Sequence, residues 1–112
     1  MRNSKIKLYS KLYKKTDDYL RNLQPMYRVI NASINFECNS FLDYGCGMSN
    51  LSECFKEINN MTVFKYDPAI ELYSHMPKDL KVDLIANCDV MEHIPEKEID
   101  NIIKEMSTIS NN

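Results

Sequence analysis

The residues best suited to chemistry fall into three short groups. The first is Asp43-Tyr44-Gly45-Cys46-Gly47, where an acid precedes two glycines spaced two apart, the only glycines among 112 residues. Glycine reaches positive φ and, lacking a Cβ, lets a ligand lie against the main chain. The second group is Asp67, twenty-four residues after Asp43. In dinucleotide-binding folds an acid at about this distance accepts hydrogen bonds from ribose hydroxyls. The third is Asn87-Cys88-Asp89, followed by Glu92 and His93. His93 is the candidate general base, useful where an acceptor must lose a proton. The blander role for His93 is to order a strand–helix junction through a backbone contact. His75, the other histidine, has no partner nearby in sequence.

Regular elements must bring these groups together. Ser40–Tyr44 is a short, mostly apolar run that predicts a strand buried on both faces. Asn50 with Glu53 three residues on has the form of an N-cap and capping box. It predicts a helix over Asn50–Ile58 that buries Leu51, Cys54, Phe55 and Ile58 and stops at Asn59-Asn60. Met61–Tyr66 predicts a second strand ending at Asp67-Pro68. Ala69–Lys81 predicts a loop with one helical turn, and Val82–Asn87 a third strand. Pro95 opens an amphipathic helix with Glu96 and Glu98 at the positive end of its dipole. Ile99, Ile102, Ile103, Met106 and Ile109 form its apolar stripe, and Ser110-Asn111-Asn112 is expected to fray.

Upstream, apolar residues from Ile6 to Tyr13 and from Tyr19 to Leu23 approach helical spacing. Pro25 then suits the first turn of a helix carrying Met26, Val29, Ile30 and Ile34 on one face. The chain thus reads as one domain, with an N-terminal helical segment (1–36) and an α/β core (40–112). Strand, helix, strand, loop, strand and helix begin a doubly wound fold. The expected core is a truncated Rossmann-like parallel sheet of about three strands in the order second, first, third. Ligands of such sheets bind outside the carboxyl ends of the strands at the switch point, where the glycine loop falls.

Composition bounds the rest. With 44% hydrophobic and 27% charged residues, the chain has the make-up of a globular domain. No run approaches the ~20 apolar residues of a membrane-crossing helix, and no signal-peptide pattern opens the chain. A cytoplasmic location is expected. Cys38, Cys46, Cys54 and Cys88 contain no Cys-x-x-Cys pair, which argues for reduced thiols over zinc. Residues 1–21 hold seven Lys or Arg against Asp17 and Asp18, a surplus of +5, and the remaining residues carry −7. A basic arm can touch an anionic acceptor or nucleic acid, but a solvated helix face is the commoner outcome.

Leu42-Asp43-Tyr44-Gly45-Cys46-Gly47, Tyr66-Asp67-Pro68-Ala69 and Asp83-Leu84-Ile85-Ala86-Asn87-Cys88-Asp89-Val90-Met91-Glu92-His93-Ile94 resemble, in order, three motifs of the class I S-adenosylmethionine-dependent methyltransferases. The resemblance implies S-adenosylmethionine as cofactor and methyl transfer as activity. It implies that Asp43, Gly45, Cys46 and Gly47 cradle the methionine part. Asp67 would take the ribose hydroxyls, and Pro68 and Ala69 would flank the adenosine. Asn87 and Cys88 would border the methionine carboxylate or the methyl group. The absence of a third glycine fits a ligand without pyrophosphate. Tyr9, Tyr13 and Tyr19 would cap the cofactor or, more commonly, pack as amphipathic residues. Asp89, Glu92 and His93 also resemble a metal-binding triplet of small-RNA 2′-O-methyltransferases, a lesser alternative since no later His completes it.

The resemblance implies a shortened form, since the family usually has seven strands and roughly twice this length. By that likeness the half that shapes the acceptor pocket is expected to be absent, and Val82–Asn87 is expected to have an open apolar edge, a pairing liability. A second copy is the favoured cover, against the chain's own helices or another protein. The first functional expectation is methyl transfer to an unidentified acceptor. The alternatives are a non-catalytic module binding S-adenosylmethionine or S-adenosylhomocysteine, and an enzyme that degrades the cofactor.

Overall fold

The computed structural model describes residues 24–88 and 95–111. The expectations for Tyr9, Tyr13, Tyr19 and the rest of residues 1–23, and for Asp89, Glu92 and His93, lie outside the described residues. The elements run in the order α1 (Gln24–Ser33), β1 (Ser40–Tyr44), α2 (Leu51–Asn59), β2 (Thr62–Tyr66), a 3-10 turn (Glu71–Tyr73), β3 (Leu84–Ala86) and α3 (Glu96–Ile109). The three strands form one parallel sheet in the order β2-β1-β3. This is an α/β fold, with the strand order expected from the crossover rule. The turn at Glu71–Tyr73 is the single helical turn expected in the long loop.

Strand alternation divides the core into two layers. Phe41 points to the side of α1 and α2, where Tyr27, Leu51, Phe55 and Met61 pack around it. Leu42 and Tyr44 point to the other side and meet Val82, Ile102 and Ile109. The first layer is aromatic: Phe41 and Phe55 ring centroids are 4.5 Å apart, and Tyr27 meets Phe55 edge-on at 4.8 Å. Such pairs contribute about 0.5–1.5 kcal/mol beyond area burial. In the second layer the Tyr44 hydroxyl donates to Glu105 Oε1 at 2.7 Å, tying β1 to α3.

Several boundaries and faces differ from expectation. In α1 the buried side centres on Tyr27, with Ile30 and Ile34 partly covered, whereas Met26 and Val29 are exposed. Polar bonds explain the choice: the Tyr27 hydroxyl donates to Asn59 Oδ1 at 2.5 Å, and Asn59 Nδ2 donates to Asn31 Oδ1 at 2.9 Å. Those bonds rotate α1 towards the end of α2. On α2, Leu51 and Phe55 are buried, but Ile58 is 63% exposed. Asn60 ends the helix in the left-handed region at φ 57, its N–H bonded to the Phe55 carbonyl, a stop that asparagine tolerates better than most residues. On α3, Ile103 lies at the shoulder of the stripe and is exposed.

The third strand is shorter than expected, and its edge is not left open at its start. Val82 forms an isolated parallel bridge with Ser110. Its N–H donates to the Ile109 carbonyl at 2.9 Å, and its carbonyl accepts the Asn111 N–H at 2.8 Å. Ser110 and Asn111 therefore do not fray. The chain's own return from α3 covers the apolar edge at Val82, the place where a second copy was favoured. Among the described residues no helix is long and apolar enough to cross a membrane.

Candidate functional site

The glycine loop is held by the neighbouring strand end. Gly45 and Gly47 take φ values of 80° and 51°, which disfavour any residue with a Cβ. After this turn the Gly45 and Cys46 N–H groups both donate to the Tyr66 carbonyl, at 2.6 and 3.1 Å. The Gly47 N–H donates to Asp67 Oδ2 at 2.7 Å. Asp67 in turn is enclosed by its own loop. Its Oδ1 accepts the Ala69 N–H at 2.8 Å, its N–H donates to the Tyr73 carbonyl, and its carbonyl accepts the Ile70 N–H. The Asp-Pro-Ala sequence thus builds a side-chain-closed turn that presents a 6% exposed carboxylate beside the glycines. Burial raises the Asp67 pKa, and the Ala69 and Gly47 N–H groups act against that rise.

Asp43 lies beneath the same loop and is 2% exposed. The Ser49 hydroxyl hydrogen-bonds its carboxylate, but Asp43 Oδ2 is buried with no hydrogen-bond partner. Its pKa is pushed up to about 7 by burial, which Lys65 and Ser49 oppose and the nearby Asp67 and Glu53 reinforce. Register places Lys65 directly beside Asp43 on β2. Its ammonium is instead 2.5 Å from Glu53 Oε1 and 5.1 Å from the centre of the Tyr73 ring. The natural counterion of Asp43 is therefore drawn aside. Burial works to raise the Glu53 pKa, but its hydrogen bond from Lys65 prevails and leaves it lowered.

This pairing also overturns the expected capping box. The Asn50 side chain makes no capping bond, and Glu53 turns to β2. Ser49 supplies the cap: its Oγ accepts the Leu51 N–H at 3.0 Å. The sequence reading missed Ser49, Lys65 and Tyr73. A usable signal for one of them was present, since Lys65 is the only charge in the strand Thr-Val-Phe-Lys-Tyr. A lysine inside an otherwise half-buried strand needs an acid, and Glu53 is the acid that α2 brings near.

Strand β1 and the loop after β2 bring together Asp43, Gly45, Cys46, Gly47, Asp67 and Ala69. Pro68 is half-buried next to them. The two residues after β3 part company. Cys88 packs with the layer around Phe41, on the side of the sheet that carries α2. Asn87 turns its amide to Met106 on α3, with Nδ2 3.7 Å from Sδ and Oδ1 buried without a partner. Cys46 is a free, buried thiol whose pKa is pushed far up by burial, with Asp43 and Asp67 adding to the rise. Such a thiol is a packing group, since reactivity requires the thiolate. His75 is exposed and bonds to the Ser74 hydroxyl. Among the described residues no group of three or more His, Cys, Asp or Glu is placed to hold a metal ion.

The arrangement sets two buried aspartates, Asp43 and Asp67, against one glycine turn. Both lie at the carboxyl ends of β1 and β2, where Asp67 accepts the Gly47 and Ala69 N–H groups and Asp43 keeps one oxygen without a partner. That is the usual ligand position of open parallel α/β sheets. The chain matches no known family model, no curated protein and no solved structure.

Proposed function

We propose that this protein binds S-adenosylmethionine at the carboxyl ends of β1 and β2 and uses it for methyl transfer. The observation that carries the reading is the bond from the Gly47 N–H to Asp67 Oδ2 at 2.7 Å. It joins the glycine turn and the acid after β2 into one buried unit at the switch point. A ligand with vicinal hydroxyls and a positive charge suits that unit better than one with phosphates. Asp67 is buried beside the glycine turn and Asp43 beneath it, and the described lysine there is engaged by Glu53. Asp43, with Oδ2 unpartnered, is a buried acid whose ionised form a cationic amino-acid portion would balance.

In this reading Asp67 accepts the ribose hydroxyls, Pro68 and Ala69 flank the adenosine, and Asp43 with Gly45, Cys46 and Gly47 holds the methionine part. Cys88, on the α2 side of the sheet, would border the methyl group, whereas the Asn87 amide is turned to Met106 on the α3 side and stands apart from it in this structure. The bound cofactor supplies an electrophilic methyl on a sulfonium. Displacement in line needs positioning above all, so an activated nucleophile such as a low-pKa cysteine is not required. His93 is the proposed base for an acceptor that must lose a proton. A reducing, cytoplasmic setting fits the four free cysteines.

Calorimetry with S-adenosylmethionine and S-adenosylhomocysteine tests the reading. Asp67→Ala is expected to weaken binding at least tenfold, about 1.4 kcal/mol. An unchanged affinity removes Asp67 from the ribose role, and no binding to either ligand by the native protein ends the proposal. Tight binding without turnover across an acceptor panel reassigns the protein as a non-catalytic module.

A further inference from the structure

Asp43 has the wrong surroundings for a permanently charged structural carboxylate. It is buried at the end of a central strand, and one oxygen has no hydrogen-bond partner. Among the described residues, the groups facing it are Lys65 from β2, Ser49 and Cys46 from the glycine loop, Glu53 from α2 and Asp67 from the loop after β2. On its other flank β3 presents Ala86 in register, which contributes no charge. Two of these neighbours are acids. The single cation is held 2.5 Å from Glu53. A buried carboxylate with this balance takes up either a proton or an external cation.

We propose that Asp43 carries a proton in the ligand-free protein and releases it to solvent when a positively charged ligand enters the crevice, so that cation binding and proton release are coupled. The inference rests on the reading of the crevice as a site for a cationic nucleoside. Asp43 acts from beneath the loop, through space, because it is buried there with the Ser49 hydroxyl on its carboxylate. An attraction across a few ångströms of protein is far stronger than the same pair in water. The bound positive charge takes over the neutralising role of the proton. The proton leaves Asp43 for the buffer, and no other bond changes. The raised pKa of Asp43, about 7, puts the exchange in the neutral range. As a consequence, affinity for the charged ligand climbs as pH rises through that range, because less proton has to be displaced.

The test is calorimetry of the native protein and Asp43→Asn with S-adenosylmethionine, in phosphate and in Tris, at pH 6, 7 and 8. Asparagine imitates the neutral acid and cannot exchange a proton. Relative to that variant, the native protein should release about 0.9 proton per site at pH 6, about half at pH 7 and about 0.1 at pH 8, for a group titrating near 7. Equal proton counts for the two proteins overturn the inference and leave the binding reading standing. No binding heat from the native protein with either S-adenosylmethionine or S-adenosylhomocysteine overturns both. Should Asp43→Asn fail to fold, infrared spectra of native protein carrying labelled aspartate replace it. A protonated-carboxyl band at pH 6 that vanishes on adding ligand supports the coupling, and a band that is absent or unmoved overturns it.

Discussion

Two aspartates at opposite ends of the same sheet have opposite fates. Asp83 stands at the amino end, just before β3. Its Oδ2 accepts the Asn39 N–H at 2.8 Å, and its Oδ1 accepts Asn111 Nδ2 at 2.9 Å. Its own N–H donates to Ser40 Oγ at 2.9 Å. It thereby ties the entry of β1 to the end of the chain, and those hydrogen bonds lower its pKa. Asp43 stands at the carboxyl end, buried, with one oxygen unpartnered and its pKa raised by burial. At the amino end the fold satisfies its own acid. At the carboxyl end it leaves a buried acid with one oxygen unpartnered, and acids perturbed by burial cluster at functional sites.

Stability against pH is the sharpest way to break this contrast. The folded Asp43 titrates near 7, well above the ordinary aspartate value near 3.9. The fold therefore favours its protonated form. That stability is complete below about pH 4 and is lost as pH rises through about 7. Asp43→Asn should escape the loss. By pH 8 its unfolding free energy from urea titration should exceed the native one, by a margin bounded at about 4 kcal/mol for a shift of this size. Parallel curves for the two proteins between pH 5 and 8 would show that Asp43 is charged throughout.

A smaller effect is expected at the diverted counterion. Lys65→Met removes the one cation among the described residues that opposes the raised Asp43 pKa and strips Glu53 of that partner. The Asp43 transition should then move upward by about one unit, equivalent to ~1.4 kcal/mol, as followed by carboxyl-carbon NMR. A downward move would mean that Lys65 acts on Asp43 chiefly through its bond to Glu53.

The least effect belongs to the satisfied acid. Asp83 has a lowered pKa, so its contribution is fully present above the ordinary carboxylate range and is lost only as pH falls below it. Asp83→Ala should lower the urea midpoint by the same amount at pH 6 and pH 8 and speed amide exchange at Asn39 and Asn111. A pH-dependent difference across that interval would break the contrast from the other side.

Much of the frame was legible in the chain. The run Ser40–Tyr44, the stop at Asn59-Asn60, the Pro95 start and the strand order all follow from local rules, because apolar continuity, left-handed tolerance, a fixed φ and crossover handedness depend on few residues. The grouping of the two glycines with Asp43 and Asp67 was legible for the same reason. What local rules misjudged were choices between neighbours. Asn50 and Glu53 have the form of a capping box, yet Glu53 pairs with Lys65, because the parallel register of β1 and β2 brings that ammonium within reach. Met26 and Val29 were expected on the buried face of α1, yet Tyr27 is buried instead, packed on Phe55 with its hydroxyl bonded to Asn59.

The amino-acid sequence by itself determined an α/β chain with one glycine turn between a strand and a helix, and an acid positioned for the end of the next strand. Residue types and spacing suffice for that, since each constraint acts over a few bonds or one turn. Only the tertiary structure decided that Ser110 and Asn111 cover the start of the third strand, and that Lys65 is drawn from Asp43 to Glu53. It also decided which of two aspartates is left uncompensated. Charge balance inside a protein depends on which distant segments are packed within a few ångströms, and no local pattern encodes that distance.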